Sequence, residues 1–189
     1  MNSVNNNENT IIIKNSKFIC LIYQVDSKSK ISELLTNAKK IYPNATHYCY
    51  AYILENEKHE SDDGEPAGTA GIPILQVLEK NNLNHVLCIV IRYFGKIKLG
   101  AGGLVRAYTK SVVECLKNNI VELKKGFEIN ITFSYIDSKK IDYLLKDCHI
   151  KNKIYDNDIT YNILIDNKLL ETLKQFNNIK ISIIKEIYF

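Results

Sequence analysis

Residues 85–108 read HVLCIVIRYFGKIKLGAGGLVRAY. The first nine, His85 to Tyr93, form a nearly continuous apolar run, the pattern of a strand buried on both faces. A glycine-rich loop follows. From about Gly102 to Asn118 the period changes to that of a helix: Leu104, Tyr108, Ser111, Val112 and Cys115 share one side, and Arg106, Lys110 and Lys117 share the other. Strand, glycine loop and amphipathic helix thus follow one another in this order.

Outward toward the N-terminus, Ile11 to Val25 holds two strand-like runs broken near Asn15-Ser16. A helix starts near Ser27 or Ser29, carries Ile31, Leu34, Leu35 and Ala38 at helical spacing, and stops at Pro43. Thr46 to Leu54, THYCYAYIL, reads as an aromatic strand. Its Tyr48, Tyr50 and Tyr52 alternate on one face and are expected to pack against a helix, although aromatic rows also stack bases. An acidic loop comes next. Thr69 is the predicted N-cap of a helix through Leu75, Leu78 and Glu79, with Pro73 in its first turn.

Outward toward the C-terminus, composition changes at Asn118-Asn119, and Lys124-Lys125-Gly126 reads as a linker or turn. Phe127, Ile129, Ile131, Phe133 and Tyr135 then alternate as a half-buried strand. A helix capped by Asp137 carries Ile141, Leu144, Leu145 and Cys148. Two strands follow, around 150–155 and 159–165, turning at Asp156-Asn157. A helix with Leu169, Leu170, Leu173 and Phe176 precedes a last strand from Ile179. Strand, helix, strand, strand, helix, strand is the ferredoxin-like plan. The expected division is a disordered tail over 1–9, a first domain over 10–119 and a second over 120–189, in an α+β chain.

No run of about 18 apolar residues exists, so no helical membrane span is expected. MNSVNNNENT lacks the charged start and apolar centre of a secretion signal, which places the protein in the cytoplasm. The five cysteines have no CxxC pair and read as free buried thiols. A His47–Cys49 catalytic pair is poorly placed for proton transfer along one strand. The net charge of +4 is mild, but its distribution is uneven. ENEKHESDDGE (55–65) holds six acids, whereas 80–113 holds Lys80, Arg92, Lys96, Lys98, Arg106, Lys110 and no acid.

Two clusters could carry chemistry. In the first, free amides and the positive dipole end of the helix beginning near Gly102 attract anions. Crowding Arg92, Lys96, Lys98 and Arg106 around Gly100, Gly102 and Gly103 makes sense if phosphate binds there. The spacing fits neither the Walker nor the dinucleotide pattern, and a tight turn with glycines for close packing is the plain alternative. In the second, Asp62, Asp63 and Glu65 of SDDGEP form a candidate acidic site for a divalent cation or for acid–base work. Asp-Gly and Glu-Pro are equally turn dipeptides.

Together, THYCYAY (46–52), SDDGEPAGTAG (61–71) and RYFGKIKLGAGGLVRAY (92–108) resemble the signature of the IMPACT family, in its bacterial YigZ-like branch. The resemblance runs from about Ser16 to Leu116, and the remainder is similar to the second domain of that branch. It implies a first domain folded as the α/β sandwich of domain two of small-subunit ribosomal protein five. It implies a ferredoxin-like second domain similar to the last domain of elongation factor G. Members generally carry a second glycine where this chain has Lys96. Eukaryotic relatives restrain a kinase acting on translation initiation, largely through an additional N-terminal domain; no room for one is expected before Ile11, so that role is not expected to carry over. The resulting expectation is a non-catalytic, translation-associated regulator that binds RNA or the ribosome through the basic loop. A protein partner is a further expectation; no cofactor, metal site or catalytic residue is assigned. The alternative is an enzyme or nucleotide-binding protein acting on a phosphorylated small molecule, with the acidic trio holding Mg²⁺.

Overall fold

The structure, a computed structural model, describes residues 1–188. The chain is α+β and divides into two compact units, Met1–Glu122 and Leu123–Phe189. In the first, the strands are β1 (Asn2–Val4), β2 (Asn7–Ile13), β3 (Ser16–Gln24), β4 (His47–Leu54), β5 (Glu57–Ser61), β6 (Val86–Tyr93) and β7 (Ile120–Glu122). The helices are α1 (Lys28–Ile41), α2 (Gly71–Lys80) and α3 (Ala101–Leu116).

Five strands form an antiparallel sheet in the order β2-β3-β6-β4-β5. The central position of β6 explains its composition: Val86 to Arg92 are all buried, because one face lies under α2 and α3 and the other under α1. On the α2/α3 face Cys20, Cys49, Cys88 and Cys115 pack with Ile74, Leu78 and Val112 as small apolar residues. On the other face Ile19, Leu21, Ile89 and Ile91 meet Ile31, Leu34, Leu35 and Ala38, joined by Tyr48, Tyr50 and Tyr52. The tyrosine row is therefore helix-facing.

β2 and β3 form a hairpin whose two turn residues, Lys14 (φ 44°) and Asn15 (φ 63°), are both left-handed. That is the backbone a right-twisted two-residue hairpin demands. The turn falls where the two apolar runs break. Ser27 caps α1 by accepting the Lys30 N–H, and the helix ends two residues before Pro43.

Three expectations need correction. Residues 1–9 are not a disordered tail: β1 pairs with β7 from Asn2↔Glu122 to Val4↔Ile120, and Val4 is fully buried. The pairing is made by backbone, which an asparagine-rich sequence does not advertise. Residues 57–61, read as part of the acidic loop, are edge strand β5, and its charges are those that discourage edge-to-edge pairing. Thr69 does not cap α2; its hydroxyl donates to the Pro66 carbonyl at 2.6 Å, and another residue takes the cap.

In the second unit, strands β8 (Lys125–Phe133), β9 (His149–Tyr155), β10 (Ile159–Asp166) and β11 (Ile179–Tyr188) form an antiparallel sheet ordered β11-β8-β10-β9. Helices α4 (Ser138–Leu144) and α5 (Asn167–Lys174) contribute Ile141, Leu170 and Leu173 to one core with Ile129, Ile131, Phe133, Tyr161 and Ile163. This is the ferredoxin-like arrangement. Asp166 caps α5 at the Leu169 N–H.

Candidate anion-binding site

β6 leads out of α2 and into α3, so both helices run back along the sheet and begin at the C-terminal end of β6. The loop from Phe94 to Gly100 crosses that end and is pinned on both sides. The Phe94 N–H donates to Thr46 Oγ1 at 3.0 Å, and the Gly95 N–H to Ser16 Oγ at 3.1 Å. Gly95 lies against the β2–β3 turn: a Cβ there would sit 2.0 Å from the Asn15 carbonyl carbon, so no side chain fits. Lys96 occupies a left-handed conformation (φ 65°) that glycine adopts freely, at the position where the family resemblance implies a second glycine.

α3 begins without a cap. Gly100 accepts the Leu104 N–H at 2.9 Å, but no side chain reaches the first-turn donors. A Cβ at Gly100 would have open space around it, and one at Gly102 would meet only Arg106 Nη1, at 3.6 Å. The Arg106 guanidinium thus folds back along the first turn. Lys96, Lys98 and Arg106 are exposed, and among the described residues none of them is in an ion pair. Lys28, Lys30, Lys58 and Lys117, elsewhere on this unit, are each paired with a glutamate. The hairpin adds one cation that the linear sequence did not place here, Lys14 in the turn beside Gly95; Lys17, paired with Tyr93, lies on the α1 face of the sheet, away from the start of α3.

Arg92 does not join this set. It is 5% exposed, and its Nη1 donates to Glu65 Oε1 at 2.6 Å, with Nη2 3.5 Å from Ser16 Oγ. Its guanidinium carbon lies 5.5 Å from the Phe18 ring centre and 5.4 Å from that of Phe94. A cation on the last row of a buried strand needs a counter-charge, and Glu65 supplies it. Glu65 Oε1 also accepts the Tyr108 O–H at 2.8 Å, Oε2 stands 3.8 Å from His47 Nε2, and the Cys49 thiol donates to Tyr108 Oη at 3.3 Å. Burial pushes the Tyr108 hydroxyl pKa far up. Burial also raises the Cys49 thiol to about 12; the Tyr108 hydrogen bond opposes this, and the nearby carboxylates reinforce it. The thiol is therefore protonated at neutral pH and is no nucleophile.

The acidic trio disperses into three structural roles. Asp62 accepts from the N–H groups of Gly68, Ala70 and Gly71 at 2.7, 2.9 and 2.8 Å, and so caps α2 from outside the helix. Partial burial raises its pKa, but these three donors outweigh it and hold the carboxyl below the usual aspartate value. Asp63 Oδ2 takes the Tyr48 N–H at 2.6 Å, and its carbonyl meets His47 Nδ1 at 2.9 Å. Glu65 is the buried partner of Arg92. Among the described residues no group of three or more His, Cys, Asp or Glu could hold a metal ion, and no helix is long and apolar enough to cross a membrane.

Residues 14–116 match the family described as the Impact N-terminal domain. Over 158 residues the chain is 41% identical to IMPACT family member YvyE of Bacillus subtilis (strain 168), a match spanning 78% of this chain and 73% of that protein. It is 32% identical over 159 residues to IMPACT family member YigZ of Escherichia coli (strain K12), spanning 81% and 77%. A crystal structure described as that of a hypothetical protein superposes with a TM-score of 0.67 at 25% identity, covering 97% of this chain and 98% of the other.

Proposed function

The chain belongs to the IMPACT family, and on that premise we propose that it is a non-catalytic, translation-associated regulator that holds RNA or the ribosome through the basic loop before α3. One observation carries this reading: the N-terminus of α3 is uncapped and open, and among the described residues the exposed cations around it have no carboxylate partners. Like charges beside the positive end of a helix dipole repel it, and an incoming phosphate relieves both terms. Lys14, in the turn packed on Gly95, extends the surface beyond the loop. Catalysis on a phosphorylated small molecule finds less support, because Asp62 and Glu65 spend their oxygens on backbone amides and on Arg92 and Tyr108.

Contacts to phosphate position a nucleic acid without reading its sequence. Binding is therefore expected to be weakly selective and to fall steeply with salt. Replacing Lys96, Lys98 and Arg106 together by Ala should weaken RNA binding several-fold. It should also flatten the log–log salt slope by about 2, at roughly 0.7 per phosphate contact on a single strand. Fluorescence anisotropy with a labelled RNA over a salt series measures both. Unchanged affinity and slope in the triple variant would refute the assignment.

A further inference from the structure

The loop interleaves its cations with apolar side chains, FGKIKLG from 94 to 100. Phe94 and Ile97 are each 44% exposed. Single exposed apolar residues are common on protein surfaces, but Phe94 is held in an unusual way. Its backbone N–H is tied to Thr46 Oγ1, and that of the next residue to Ser16 Oγ. The Thr46 N–H in turn donates to the Arg92 carbonyl at 2.8 Å. Its ring lies on the Arg92 guanidinium, whose other neighbour is the fully buried Phe18. Arg92 is itself locked by Glu65. Phe18, Arg92 and Phe94 thus form tiers from the core to the surface, and the outermost ring rests on Arg92 with part of it open to solvent. Lys96, in no ion pair among the described residues, follows two residues later.

We infer that this loop takes single-stranded nucleic acid, with an unpaired base stacked on Phe94 and the flanking phosphates on Lys96, Lys98 and Arg106. The inference rests on the reading of the basic loop given above and narrows its ligand. A duplex covers its base faces and offers only phosphates, which would leave the ring unused. A single strand offers a π-face and a phosphate at every nucleotide, the combination that stacking platforms in charged grooves recognise. The backbone that carries the ring is already hydrogen-bonded on both sides, which lowers the cost of ordering it on binding.

The experiment compares a labelled 12-nucleotide RNA of mixed sequence, the same strand in a blunt duplex, and an abasic strand of the same length. The proteins are wild type, Phe94→Ala, Phe94→Leu, Phe94→Tyr and the Lys96/Lys98/Arg106 triple alanine variant. Wild type is expected to bind the single strand about 5-fold or more above the duplex and the abasic strand. Phe94→Ala and Phe94→Leu should fall to the duplex level with the salt slope unchanged, and Phe94→Tyr should retain the preference. Phe94→Leu keeps the apolar volume, so its loss reports the missing π-face rather than altered folding. Equal binding of single strand and duplex by wild type, or full affinity in Phe94→Leu, overturns the inference. If the triple variant still loses binding in that case, the basic-loop reading survives alone. If the triple variant loses nothing, or no RNA binds, both fail.

Discussion

Asp62 sits eight residues before Ala70, yet it satisfies the amides that open α2. A carboxylate bound to three backbone donors at a helix start combines a cap with a favourable dipole interaction. Asp62→Ala should lower stability by about 1–2 kcal/mol, read from urea denaturation at neutral pH. Its pH dependence has a definite sign. The folded carboxyl titrates below its unfolded value of about 3.9. The contribution is complete above that value and is lost as pH falls through it toward the lower folded value. In acid the wild type should therefore converge on the variant; a gap that stays constant down to pH 2 would show that the charge is irrelevant. Arg92 and Glu65 illustrate what sequence cannot separate at this scale. Arg92 ends an apolar run and opens a basic glycine-rich motif, Glu65 closes an acidic one, and only the register placing Arg92 between Phe18 and His47 turns them into a buried pair.

At the scale of elements, the segments legible in the sequence were those with strong periodicity and stop signals. β6 announced itself by an unbroken apolar run, α1 by its Ser27 cap and Pro43, and α3 by its Leu104–Tyr108–Val112 face. β1, β5 and β7 did not: all three are short, β1 and β5 are largely polar, and β1 and β7 find each other only across the whole first unit. β1 nonetheless contributes to the core through Val4. Val4→Ala removes buried methyl groups worth about 0.8 kcal/mol each and leaves a cavity, for a total of about 2 kcal/mol. Chemical denaturation of the variant decides between a structural strand and a dispensable tail: no change would favour the tail. The basic surface was half legible in the same sense. Lys96, Lys98 and Arg106 are neighbours in sequence, whereas Lys14 reaches the loop only through the hairpin packed on Gly95.

For the whole molecule, each unit encloses its own set of buried residues. All the cations of the basic loop, the ring of Phe94 and the helix start belong to the first unit. A fragment of residues 1–122 should therefore melt cooperatively and bind RNA with the same salt slope as the full chain, measured by calorimetry and anisotropy. A fragment that folds but shows a shallower slope would mean that the ferredoxin-like unit supplies phosphate contacts of its own. The family likeness was readable in three motifs, but the partition of their residues between scaffold and surface was not. SDDGEP turned out to be chiefly scaffold, and FGKIKLG chiefly surface.

The ribbon of β1 and β7 has a mechanical corollary. Asn2 lies opposite Glu122, and the strands run antiparallel, so both ends of the first unit leave from the same place. Tension applied between those ends loads the bridging hydrogen bonds one pair at a time, as in peeling tape, rather than all together as in shearing. The unit is built to give way gently at its seam under traction, and the same closeness of its ends would let it be spliced as a closed loop into a host protein with a short graft.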